Sequence, residues 1–175
     1  EFCVFGVNQR RNTGIAGVMG AGALVQCSAE RLISAFSYSM SSDQNMVVAA
    51  ESLGMGTVYL GSILNDNAKL SELLKLPKYV YPAVGLAVGW PDQEPQLKPR
   101  LPRHVIHMEN YYQDLENPLE ELKDYDAEVH EYYDLRDLNN RVDEFTTQIA
   151  KTMDKSVANR ANTLKDLQNQ GFFID

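Results

Sequence analysis

The chain has 175 residues, 44% hydrophobic and 23% charged, which fits one globular domain able to bury a good core. Its net charge is −8, and the deficit is uneven: residues 1–64 hold three Lys/Arg against four Asp/Glu, leaving thirteen against twenty for the rest. An acidic surface argues against nucleic acid as a general partner, because phosphate binding needs clustered cations; one anionic cofactor in a local basic pocket remains compatible. The two cysteines, Cys3 and Cys27, make neither a disulfide framework nor a metal pattern, so reduced thiols are expected. There is no apolar run long enough to span a bilayer, and a cytoplasmic location is the expectation.

Taken in order, residues 2–7 are apolar enough for a buried strand. An interior strand is an odd place for a protein to begin, so a fragment or truncated gene product is expected. Residues 8–27 are Gly/Ala-rich and read as an irregular loop. Gly17-Val18-Met19-Gly20-Ala21-Gly22 has the wrong spacing for a dinucleotide-binding fingerprint. Ser28 is a suitable N-cap for a long helix ending at Gly54. Leu32, Phe36, Met40, Val47 and Ala50 share one face, and small residues occupy most of the remainder, which predicts a helix packed on several sides. Gln44 and Asn45 are polar where packing is expected; each either bonds a neighbour or faces solvent.

Asn45 to Ile63 is the stretch on which the rest depends. Gly54 stands where a left-handed helix cap is wanted, a conformation only glycine reaches without a Cβ penalty. Gly56-Thr57-Val58-Tyr59-Leu60 has strand composition. Gly61-Ser62 then leaves main-chain N–H groups uncovered. Two readings follow from the residues: a tight helix–strand connection, or a backbone cradle for a flat ligand. Asn65 and Asp66 can cap a short helix through Leu74, closed by Pro77, and residues 80–90 read as a strand covered on both faces.

Pro91, Pro95, Pro99 and Pro102 stiffen an irregular loop that presents Lys98 and Arg100. A proline between two cations fixes the backbone, so both can face one anion at low entropic cost, although a solvated pair is the usual meaning of such spacing. Val105-Ile106-His107-Met108 is a short strand candidate. His104, His107 and His130 show no metal-ligand spacing. Beyond Pro118 the chain turns helical, with Leu119, Leu122, Tyr125, Val129 and Tyr132 or Tyr133 as one stripe. A second helix is expected from about Asn140 to Asp154, with Val142, Phe145, Ile149 and Met153 inward; a third runs from about Ala161 to Gln170, stopped by Gly171. Arg141 reads as a surface helix residue. The stripe packs either on a partner or as a cap on the same chain.

The Asn45–Ile63 stretch, Leu73-Leu74-Lys75-Leu76-Pro77, and Gly85-Leu86-Ala87-Val88-Gly89-Trp90-Pro91 together resemble the nitroreductase family, and within it the NADPH-dependent, FMN-containing oxygen-insensitive group. Gly89-Trp90-Pro91 followed by Leu97-Lys98-Pro99-Arg100-Leu101-Pro102 is the most specific part. The resemblance runs from about Phe2 to the C-terminus, and the family's N-terminal portion, with its His-Arg-Ser phosphate motif, is not in this chain. It implies an α+β fold with a central helix, a mixed sheet and a C-terminal helical arm. Residues 1–112 would be the core and 113–175 the extension that packs on the second subunit of a homodimer. It implies FMN as cofactor and NADPH as co-substrate, with a nitroaromatic, quinone or free flavin as electron acceptor. Tyr59, Leu60, Gly61 and Ser62 would line the flavin ring through backbone N–H groups, Lys98 and Arg100 would grip its phosphate, and Arg136 would meet the NADPH 2′-phosphate. Ser62 departs from the glycine more usual there. The alternatives are an inactive truncated flavoprotein and a dimerisation or interaction module without flavin.

Overall fold

A computed structural model of the chain describes residues 1–22, 27–136, 144–153 and 160–172. Its contacts divide the chain into two units, residues 1–92 with 157–175, and residues 93–156.

The first unit is built on a three-stranded antiparallel sheet, β1 (Phe2–Asn8), β2 (Gly56–Leu60) and β3 (Val80–Gly89), in the order β1-β3-β2. All pairings among the described residues are antiparallel; the mixed character implied by the resemblance is not among them. The centre falls to β3 because it alone is apolar on both faces: Tyr81, Pro82, Ala83, Leu86 and Ala87 contribute, with Leu86 fully buried. β1 was expected to be buried. It is an edge strand in which only Val7 is enclosed: Cys3, Phe5 and Val7 share the face that packs towards α2, while Phe2 and Val4 lie on the other and are exposed.

Residues 8–27 hold a helix, α1 (Arg10–Val18), where an irregular loop was expected. Gly14 and Gly17 weaken it, but Gln9 starts it: the Gln9 carbonyl accepts from both the backbone N–H and the Oγ1 hydroxyl of Thr13. None of its residues is buried, so hydrophobic periodicity could not reveal it.

The long helix α2 (Ala29–Ser52) begins as expected, with Ser28 Oγ accepting from the Arg31 N–H at 3.3 Å. It ends at Gly54, whose φ of +79° is the left-handed cap. Only one face is covered, by Leu32, Ser39, Asp43, Val47 and Ala50 against the sheet. Met40 is exposed, as are Ile33, Tyr38 and Val48, so the expectation of a helix packed on several sides is corrected within a single chain. Met40 keeps helical spacing with Asp43 and Val47, so period alone does not separate it from the buried set.

Gly61–Asn65 forms a 3₁₀ turn, followed by α3 (Asn67–Leu73) with Asp66 accepting from the Lys69 N–H at 3.0 Å. At the far end of the chain, a 3₁₀ turn (Arg160–Asn162) leads into α8 (Thr163–Asn169), which stops before Gly171. Phe172 closes the principal core with Val7, Leu32, Tyr81 and Leu167.

Tyr81 is buried in that core, yet its hydroxyl has no hydrogen-bond partner among the described residues. Burial, and then the Asp166 carboxylate, push its phenol from 10.0 up to about 12. The neutral form is favoured by folding, so stability is constant below the unfolded value and is lost as pH rises from 10 towards about 12. Tyr81→Phe should be close to neutral at pH 7, because it removes a hydroxyl with no hydrogen-bond partner among the described residues, and should flatten that alkaline loss. Urea midpoints of both proteins at neutral and alkaline pH check this; an unchanged alkaline slope would refute it.

The second unit contains α4 (Arg103–Ile106), α5 (Pro118–Glu121), α6 (Lys123–Arg136) and α7 (Phe145–Met153). Of Val105–Met108, expected as a strand, Val105 and Ile106 end a helical turn and His107 is extended beyond it; Val105 packs on a cluster of Leu122, Tyr125 and Val129. The stripe on α5 and α6 is as expected except that Leu119 is exposed. On α7, Phe145 faces the cluster, but Ile149 and Met153 are largely exposed rather than inward. The start of that helix as expected, with Val142 and Arg141, lies outside the described residues. Asp126 anchors α7 by accepting from the Thr146 N–H at 3.0 Å and its hydroxyl at 2.6 Å.

Candidate functional site

Two sets of residues singled out by sequence fall in different units, and each is described within its own. In the first unit, β2 runs into the Gly61–Asn65 turn. β2 is the outer strand of the sheet, so its far edge has no strand neighbour among the described residues. A Cβ placed on Gly61 would meet nothing within 4 Å: the space over this main chain is open. Gly85 of β3 lies beneath. A Cβ there would come within 3.0 Å of Ile63 Cγ2 and 3.1 Å of Leu60 Cβ, so a bare residue at 85 lets the turn settle onto the sheet. Tyr59, Leu60, Gly61 and Ser62 are therefore consecutive residues of one partly open strand end, held in place from below.

Tyr59 is half-exposed, and its hydroxyl donates to Gln44 Oε1 of α2 at 3.1 Å. That is the neighbour expected for Gln44; Asn45 is exposed. The Tyr59 phenol is pushed above its ordinary value by loss of solvation, then by the Asp43 carboxylate and by Glu51. Asp43 itself is fully buried on the sheet-facing side of α2, and neither carboxylate oxygen has a hydrogen-bond partner among the described residues.

Sequence reasoning missed both Asp43 and Arg160. Asp43 could have been found from its place at helical spacing between Leu32, Val47 and Ala50. Arg160 carries no local signal, because its partners are about a hundred residues away. Its Nε donates to Asn65 Oδ1 at 2.9 Å and its NH2 group to the Gly61 carbonyl at 3.0 Å, fastening both ends of the turn.

In the second unit, residues 93–102 are irregular as the prolines require, and Lys98 and Arg100 are both exposed. Arg100 folds back so that its NH1 group donates to the Lys98 carbonyl at 2.9 Å. Lys98 Nζ lies 5.4 Å from the centre of the Tyr133 ring, and the Tyr125 hydroxyl donates to the Pro99 carbonyl at 3.4 Å. The loop thus carries two cations on one short rigid segment braced by α6. Arg136 is the last residue of α6. No group of His, Cys, Asp and Glu suited to a metal ion occurs among the described residues. No helix among them is long and apolar enough to cross a membrane.

Residues 98–175 match the model of the nitroreductase family, C-terminal domain. An oxygen-insensitive NADPH nitroreductase of Salmonella typhimurium is 46% identical over 129 residues, which cover 74% of this chain and 52% of that protein. The chain spans about half the length of the curated relatives it matches. Among solved structures, the NfrA1 nitroreductase of B. subtilis superposes with a TM-score of 0.88 at 30% identity, over 98% of this chain and 69% of that one. The NADPH:FMN oxidoreductase of Vibrio harveyi, solved with NAD+, gives 0.81 at 31% identity, over 98% and 66%. With fold and sequence in agreement over nearly its whole length, the chain belongs to the nitroreductase family.

Proposed function

We propose that the chain is part of an FMN-dependent NADPH oxidoreductase that reduces nitroaromatics, quinones or free flavin. The observation that carries this reading is the open main chain at Gly61, at the end of a strand whose outer edge has no strand neighbour among the described residues. A flat ring can lie there against backbone N–H groups, with no side chain to displace. When bound, FMN supplies hydride acceptance from NADPH and hydride donation to the acceptor. The protein's residues bind and orient. Tyr59, Leu60, Gly61 and Ser62 line the ring, and a serine at 62 narrows the space beside it relative to glycine. Arg160 keeps the turn in the conformation that leaves this surface open, by holding Gly61 and Asn65. Lys98 and Arg100 hold the phosphate by charge-assisted hydrogen bonds.

On this reading, residues 1–112 supply the part of the family core present here, residues 113–175 are its helical extension, and the protein works in the cytoplasm as a homodimer. The exposed apolar residues Ile33 and Val48 on α2 support a second copy packing there. The direct test is steady-state oxidation of NADPH with a nitroaromatic or quinone acceptor and added FMN. Turnover that needs both FMN and acceptor is expected; no turnover under any such condition would contradict the reading.

Arg136 selects NADPH by meeting its 2′-phosphate. Arg136→Ala should raise the KM for NADPH by roughly tenfold, the loss of one charge-assisted contact, and leave NADH almost unaffected. Equal loss for both coenzymes would give Arg136 a structural task instead.

A further inference from the structure

All three cations of residues 1–64, Arg10, Arg11 and Arg31, belong to one corner of the first unit. In a chain of net charge −8, that is a local reversal of sign. Between β1, the start of α1 and the first turns of α2 lies a groove of about 410 Å³, lined by Arg11, Arg31, Asn12, Ser42, Phe5 and Tyr38 among others. The volume suits a small ligand. We propose that this groove binds a phosphate monoester carrying a flat ring, at a site separate from the flavin cradle.

The separation follows from the sheet. The groove lies along β1 and the cradle along β2, which flank β3 on opposite sides. The groove floor is already fixed in the folded chain. Gln9, 7% exposed, receives the Asn12 side-chain amide at 3.4 Å and donates its own amide to the Arg31 carbonyl at 3.3 Å. Ser39 donates to the Gly6 carbonyl at 3.0 Å. These bonds tie α1 and β1 to α2, so the walls that carry Arg11 and Arg31 are held by buried contacts.

The donor set selects the ligand. Two guanidinium forks, the second amide N–H of Asn12 and the Ser42 hydroxyl offer more donors than a carboxylate's two oxygens use, and suit the three terminal oxygens of a phosphate monoester. Phe5 and Tyr38 add ring faces for the body of the ligand. Glu30 is the competing anion, 3.3 Å from Arg31 Nε. Both side chains of that pair are well exposed, 46% and 68%, so the pair is weak and yields to a dianion.

Calorimetric titration of the whole chain with AMP, inorganic phosphate and adenosine tests the proposal. AMP should bind at least tenfold more tightly than phosphate, and adenosine should not bind measurably. Arg11→Gln and Arg31→Gln, both at exposed positions that leave the core untouched, should each weaken AMP by ten- to a hundredfold. AMP affinity unchanged in both variants would overturn the site, as would its loss in Arg136→Ala alone, which would place the nucleotide at the coenzyme contact. Equal affinity for phosphate and AMP would overturn the aromatic half of the ligand. Flavin content measured on the same samples separates this outcome from any failure of the cradle.

Discussion

Replacing Lys98 and Arg100 together by alanine should strip FMN from the protein while leaving its far-ultraviolet circular dichroism unchanged. Both side chains are exposed, and the contacts they make within the chain, a ring face at 5.4 Å and a carbonyl at 2.9 Å, hold the loop rather than the core. Little folding energy is therefore at stake. On the proposed assignment the phosphate would lose two charge-assisted partners, a drop on the order of 100-fold or more in affinity. Arg100→Lys should fall between, since an ammonium keeps the charge but not the planar fork. Unchanged flavin content in the double variant would mean that the phosphate is held by other groups.

Phe172→Ala carries the largest expected cost in stability. The side chain is fully buried at the meeting point of β1, α2, β3 and α8, against Val7, Leu32, Tyr81 and Leu167. Truncating a buried phenylalanine costs about 3–5 kcal/mol, a large part of the about 5–15 kcal/mol that holds a typical domain together. Leu164→Ala on the exposed side of the adjoining helix should change stability by less than about 0.5 kcal/mol. Equal urea midpoints for the two variants would show that the end of the chain adds nothing to the core.

Elements whose signals are local and strong were legible in the sequence. Ser28, Gly54, Asp66 and Gly171 each fix a helix end through capping or a left-handed residue, and β3 announces itself by an unbroken apolar run. What escaped depends on partners distant in the chain or on surfaces with no buried face. α1 buries nothing and so has no periodic apolar signal. Val105 and Ile106 carry strand propensity, but packing on Leu122 and Tyr125 decides in favour of a helical turn. Met40 and Met153 look inward by helical spacing and are exposed, because spacing gives a side chain's direction and not whether another element covers it there. For the candidate site, the Tyr59–Ser62 cradle and the Lys98–Arg100 loop were named from motif resemblance. The role of Arg160 required the folded chain, because Gly61 and Asn65 come to it only through tertiary structure.

FMN held by this chain would colour it. The most direct measurement is a visible absorbance spectrum of the purified chain, with stoichiometry from the flavin released on denaturation. A flavin band approaching one equivalent per chain, present on purification or restored by added FMN, is the predicted result. A colourless protein that takes up no FMN even at high concentration would contradict it.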